Sequence, residues 1–119
     1  SPSGEERTLI RQEEQQLYEY DEYKLQIRRL DFGKKRGIYE FSTYDPETKD
    51  TPPSWGLHPY AEVGVILEGK MEVNLDGTVY LLGPGDSIYI KPNLYHTMRN
   101  AGDTPCRAFW HLQIMDDSV

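Results

Sequence analysis

A chain of 119 residues with 13 basic against 20 acidic side chains, formal charge −7, is one domain without the clustered cations that grip a phosphate backbone, so no direct nucleic-acid contact is expected. The lone Cys106 rules out an internal disulfide, and no apolar run approaches transmembrane length. The expectation is therefore a cytoplasmic chain with no membrane contact, long enough to bury one core without cross-links.

The opening, SPSGEER, carries no methionine, as a cloning scar or a piece cut from a longer protein would show. Residues 1–22 are acidic and rich in Gln and Glu, and are expected to be part linker and part edge strand. From residue 23 to 119 the character is that of a barrel. In YKLQIRRL, Tyr23, Leu25 and Ile27 alternate with Lys24, Gln26 and Arg28, which predicts a half-buried strand. Arg29 and Leu30 break the alternation, so the strand is expected to end or bulge there. FGKKRG reads as a turn, IYEFSTY (38–44) as a strand, and DPETKDTPP as a long loop. EVGVILEG, KMEVNLDG, TVYLLGPGD, SIYIKPN, YHTMRNAGD and CRAFWHLQI follow, all but the last closed or punctuated by Gly, Asn, Asp or Pro. Eight to ten strands and no convincing long helix predict an all-β sandwich or barrel. Cys106 is expected as a small, half-buried apolar side chain, facing away from His111 five residues on.

The stretch HPYAEVGVILEG holds His58 and, four residues later, Glu62. Pro59 and the β-branched run after Glu62 argue against a helical turn. On one straight strand the two would stand ~13 Å apart, at about 3.3 Å per residue, too far to share an ion. A common site demands a bend near Pro59 and Ala61, with His58 ending one strand and Glu62 starting the next. His96, returned by the turns around Gly83-Pro84-Gly85-Asp86 and Pro92-Asn93, is the third candidate ligand; His111 is spare. Two histidines and a carboxylate suit iron, manganese, nickel or zinc. Ordinary hydrogen-bonded histidines account for the same residues, and both readings stand open.

Residues 55 to 114 resemble the cupin family, whose motifs are G-x5-H-x-H-x(3,4)-E-x6-G and G-x5-P-x-G-x2-H-x3-N. His58, Glu62 and Gly69 match the first (about 56–69); Gly85, His96 and Asn100 match the second (about 85–100). Gly56 stands where the family has its first histidine, Lys91 where it has proline, and Asn93 where it has glycine. Asn93 is the tolerable replacement because asparagine accepts left-handed backbone. The resemblance implies a single-domain cupin double-stranded β-helix, a jelly-roll barrel, with a divalent transition metal held by His58, Glu62 and His96 as a possible cofactor. H-x3-E-x-G-x-x-L-E-G with L-x-x-G-D-S-x-Y-I is most similar to the C-terminal cupin domains of helix-turn-helix transcription regulators. TLIRQEEQQLYEY is similar to their joining segment.

The resemblance implies a small-molecule sensing or binding domain, the effector part of a regulator. If Glu62 points inward, alternation turns Tyr60, Gly64 and Ile66 the same way; if His96 does, so does Met98. Tyr89, Tyr95 and Trp110 are further candidate walls, each singly explained as well by core packing. The alternative is a small metal-dependent enzyme, a dioxygenase, isomerase or lyase, disfavoured by the missing histidine and the lack of a second acid–base pair. A barrel with neither ligand nor metal is the third reading. Tyrosine-rich edge strands make a homodimer the default expectation, with a small-molecule ligand as the other partner.

Overall fold

The computed structural model describes residues 6–33 and 35–114; the first five residues of the SPSGEER opening, Lys34 of the expected turn and the last five residues lie outside that range. Ten strands follow in chain order: β1 (Gln16–Tyr20), β2 (Leu25–Asp31), β3 (Ile38–Tyr44), β4 (Ser54–Gly56), β5 (Glu62–Glu68), β6 (Met71–Leu75), β7 (Thr78–Leu82), β8 (Ser87–Ile90), β9 (His96–Asn100) and β10 (Cys106–Leu112). They form two antiparallel sheets, a six-stranded one in the order β1-β2-β3-β10-β5-β8 and a four-stranded one in the order β4-β9-β6-β7. This is the all-β architecture expected from the spacing of the strands, in the jelly-roll form that the family resemblance implies. No helix among the described residues is long and apolar enough to cross a membrane, which says nothing about strands.

Period-2 alternation decides what the sheets enclose. β10 and β3 are buried at every second residue, Cys106, Ala108, Trp110 and Leu112 facing inward beside Glu40, Ser42 and Tyr44. Ile66, Met71, Val73, Ile90 and Cys106 form the fully buried centre. Cys106 is thus a core residue, not the half-buried one expected, and it lies opposite the phase of His111, which stacks on Tyr39 on the outer face. Turns follow local chemistry. Asp76 and Gly77, both at positive φ, close the β6–β7 hairpin, where Asn74 Oδ1 accepts from Gly77 N. Asn93 sits at φ +61°, the left-handed backbone anticipated for it, and Asp86 accepts a hydrogen bond from Gly83 N within its turn.

Two expectations about the second strand are corrected. Tyr23 belongs to a 3-10 turn spanning Asp21–Tyr23, and Lys24 takes left-handed backbone (φ 52°), so β2 starts at Leu25. β2 then runs through Arg29 and Leu30 without a bulge, every residue from Leu25 to Asp31 pairing with β3. Arg29 keeps the inward phase of Leu25 and Ile27. A buried carboxylate, Glu40, is its cross-strand partner, and this pairing lets the strand continue with an inward cation.

Candidate metal centre

Three short segments meet between the sheets. β4 ends at Gly56, His58 lies two residues beyond it in the bend with Pro59, and Glu62 is the first residue of β5. His58 therefore sits in the loop and does not itself end a strand, but the bend performs the convergence the spacing demanded. His96 opens β9, directly across from Gly56. Nε2 of His96 comes to 3.3 Å from Glu62 Oε2, and Nε2 of His58 to 3.9 Å from the same oxygen. One ligand atom from each of the three residues lies within 4.8 Å of the others.

Electrostatics single out one atom. Glu62 Oε2 is buried and has no hydrogen-bond partner among the described residues, with His96 Nε2 3.3 Å away. A buried carboxylate oxygen without a partner costs free energy that a cation offsets. Two ligand atoms each 2.1 Å from one ion, at a tetrahedral angle, stand about 3.4 Å apart. The two carboxylate–imidazole separations need adjustments of about half an ångström or less, and the imidazole pair, within 4.8 Å, closes by up to about 1.4 Å, most of it from half-exposed His58. His96 is already oriented: its Nδ1 bonds the Leu94 carbonyl at 2.9 Å, leaving Nε2 to face Glu62. Its pKa is raised: burial opposes protonation, but Glu62 and the Leu94 carbonyl together outweigh it. His58 is held by a stacked contact with Tyr60, ring centroids 5.0 Å apart. The donor set fits a divalent transition metal.

Gly56 explains the missing fourth histidine. A Cβ at that position would lie 2.6 Å from His96 Nε2 and 2.7 Å from His58 Nε2, so the two imidazoles fill the space a side chain would need.

The trio opens into a cavity of about 410 Å³, within the range of small-molecule pockets. Of the expected wall residues, Tyr60, Met98 and Trp110 line it and Ile66, Tyr89 and Tyr95 do not. The Trp110 ring packs against Gly64, where a Cβ would overlap the indole, and Ile66 is 1% exposed in the core beyond. Tyr89 pairs with Val63, the neighbour of inward Glu62, so the pleat turns it outward. Tyr95 precedes inward His96 and stacks instead on Trp55 at the surface.

Several walls were not anticipated. Tyr18 and Tyr20 of β1, Tyr23, Trp55 and the ion pair Arg29–Glu40 all line the cavity. The one local signal for Arg29 is its phase, which continues that of Leu25 and Ile27, but an inward cation is unfavourable without its partner on β3. Glu40 was legible, because Ile38, Glu40, Ser42 and Tyr44 share one phase. Tyr44 and Ser54, bonded to each other at 2.8 Å, and Trp110 Nε1, which donates to Ser42 Oγ at 3.0 Å, are satisfied within the protein. Burial pushes the Tyr44 phenol well up and so keeps it neutral.

A family model described as "Cupin domain" matches residues 40–112. Polyketide synthase CurC of Streptomyces cyaneus is 39% identical over 56 residues, covering 46% of this chain and 36% of that protein. Mannose-1-phosphate guanylyltransferase of Escherichia coli K12 is 33% identical over 79 residues, covering 62% of this chain and 16% of the relative. The chain thus spans well under half the length of these curated relatives. Among solved structures, an RmlC-like cupin from Shewanella frigidimarina superposes with a TM-score of 0.73 at 19% identity, over 98% of this chain and 99% of that one. Iron(II) HppE gives 0.77 at 14% identity, over 93% and 62% of the two chains. The cupin domain of an XRE family transcriptional regulator from Enterobacter cloacae gives 0.66 at 16%, over 76% and 97%. At these identities the structural likeness shows the fold alone.

Proposed function

This chain belongs to the cupin family, and from that premise we propose that it is a small-molecule-binding module holding a divalent transition metal at His58, Glu62 and His96, and that it serves as the effector domain of a transcription regulator. The observation that carries the metal is the buried, unpartnered Glu62 Oε2 between two imidazole nitrogens. A bound divalent ion there would supply Lewis acidity toward an oxygen of the ligand. The chain's own residues do the rest. The Leu94 carbonyl fixes the His96 tautomer, Tyr60 steadies His58, and Trp110 with Tyr44 walls the pocket against solvent. The regulator role is supported by the sequence pattern around Glu62 and by the likeness in fold to one regulator's cupin domain. A cytoplasmic homodimer belongs to the same reading.

A second reading, a small metal-dependent enzyme, gains from Glu40, a carboxylate inside the cavity that supplies the proton-accepting group the sequence reading lacked. HppE, named as an iron(II) protein, has the same fold.

Elemental analysis of protein made without a histidine tag, beside His96→Ala, tests the metal. About one equivalent of transition metal, lost in the variant, is the expected result. A wild-type protein that stays empty after metal addition overturns both the metal and the enzyme reading.

A further inference from the structure

Arg29 and Glu40 form a second polar centre in the cavity, and its hydrogen bonds are lopsided. Nε and Nη2 of Arg29 both donate to one oxygen, Glu40 Oε2, at 2.8 and 2.6 Å. Tyr18 covers the guanidinium plane, its ring centroid 5.4 Å from Cζ. The group is therefore held from its side edge and one face. An arginine has five N–H donors in a rigid fork. Two are used here, which leaves three on the Nη nitrogens with no partner among the described residues. Those three include the pair of parallel N–H groups that takes a carboxylate end-on.

Charge points the same way. Two carboxylates and one guanidinium leave the cavity one charge negative; a divalent ion at the histidines makes it one charge positive, which favours an anion. Tyr20, Tyr23 and Trp110, with Tyr18 and Tyr60 whose other faces lie on Arg29 and His58, give the walls apolar surface suited to a ring. Tyr60, stacked on His58, lines the same cavity as Arg29 and Glu40.

We propose that the pocket selects small aromatic carboxylates, with Arg29 as the anion clamp, Glu40 and Tyr18 as the residues that position it, and the aromatic walls around the ring. This rests on reading the cavity as the ligand pocket, and it names the class of ligand.

The test uses benzoate and its uncharged isostere benzamide. Each is titrated by tryptophan fluorescence and calorimetry into zinc-loaded and zinc-free protein, with zinc uptake measured separately. Wild-type protein is expected to bind benzoate at least tenfold more tightly than benzamide. Arg29→Met is expected to remove that preference while leaving benzamide binding in place, and Arg29→Lys to retain part of it. Benzamide binding and thermal melting report whether each variant folds. Equal binding of the two probes by the wild type, or none of either, overturns the proposal without recourse to any variant. A preference for benzoate that survives in a folded Arg29→Met protein also overturns it, because the carboxylate would then be held by zinc. Failure of zinc uptake with an Arg29-dependent benzoate preference leaves the clamp standing and sinks the metal; zinc uptake without the preference does the reverse.

Discussion

Gly56 is the cross-strand partner of His96, and a single added carbon on Gly56 would come within 2.6 Å of the His96 Nε2 that faces Glu62. The absent fourth histidine is therefore not a simple loss. The remaining imidazoles occupy the space that a side chain there would need. Gly56→Ala is expected to displace one imidazole and weaken metal binding at least tenfold, with little change in metal-free stability if flexible, half-exposed His58 yields. Calorimetric zinc titration of both proteins measures it; an unchanged affinity would mean that the histidines are not the ligands.

Glu62 gives a prediction of opposite sign with and without metal. Its buried Oε2 lacks a hydrogen bond, so above the folded pKa of His96, where the ring facing it is neutral, Glu62→Gln relieves a buried carboxylate without a partner in the apo protein. The apo variant should be more stable than the wild type by about 1–3 kcal/mol, the scale of an unsatisfied buried polar group. Metal should raise the melting temperature of the wild type but not of the variant. Urea denaturation with and without zinc separates the two effects.

The pH dependence of the apo protein follows from His96. Its folded pKa is raised above the ordinary 6.5, the balance of burial against Glu62 and the Leu94 carbonyl. The protonated ring thus contributes stability that is fully present below the unfolded value and is lost as pH rises through the folded one. Melting curves of metal-free protein at pH 6 and pH 8.5 should show this loss, and His96→Gln should remove that component. Metal needs the neutral ring, so zinc affinity should fall on acidification over the same window.

Trp110 and Gly64 are paired across β10 and β5, with the indole lying on the glycine. Gly64→Ala cannot be absorbed by the flexible end of a side chain, because the atoms it meets belong to a rigid ring. Overpacking of this kind costs about 1–3 kcal/mol. The bond from Trp110 Nε1 to Ser42 is expected to break as the ring moves, adding about 1 kcal/mol. A red-shifted tryptophan emission together with a lower urea midpoint would report it.

Cys106 is fully buried, and burial pushes its thiol up to about 11. A thiol that is both inaccessible and protonated at neutral pH should not react with a disulfide reagent until the chain unfolds. Colorimetric thiol titration of native and urea-unfolded protein is expected to give no equivalents and one equivalent; rapid native reaction would contradict the placement of β10 in the core.

Much of this architecture is written in local patterns. Short β-prone runs marked β3, β5, β6 and β10, and Gly, Asn, Asp or Pro marked the ends of all but the last, because strand propensity and turn chemistry act over a few residues. The spacing of His58, Glu62 and His96 demanded a bend and a return, and both are present. Tertiary structure decided the rest. Tyr89 and Tyr95 face outward because strand pairing set a phase that their own short runs left ambiguous. Arg29 looked like a strand breaker, since an inward cation is unfavourable by itself; only Glu40, 11 residues away in sequence and directly across β3, makes it part of the pocket. The closed space at Gly56 is a property of two imidazoles brought in from other segments. Local sequence determined where strands run and turn, and long-range packing determined which side chains share the cavity.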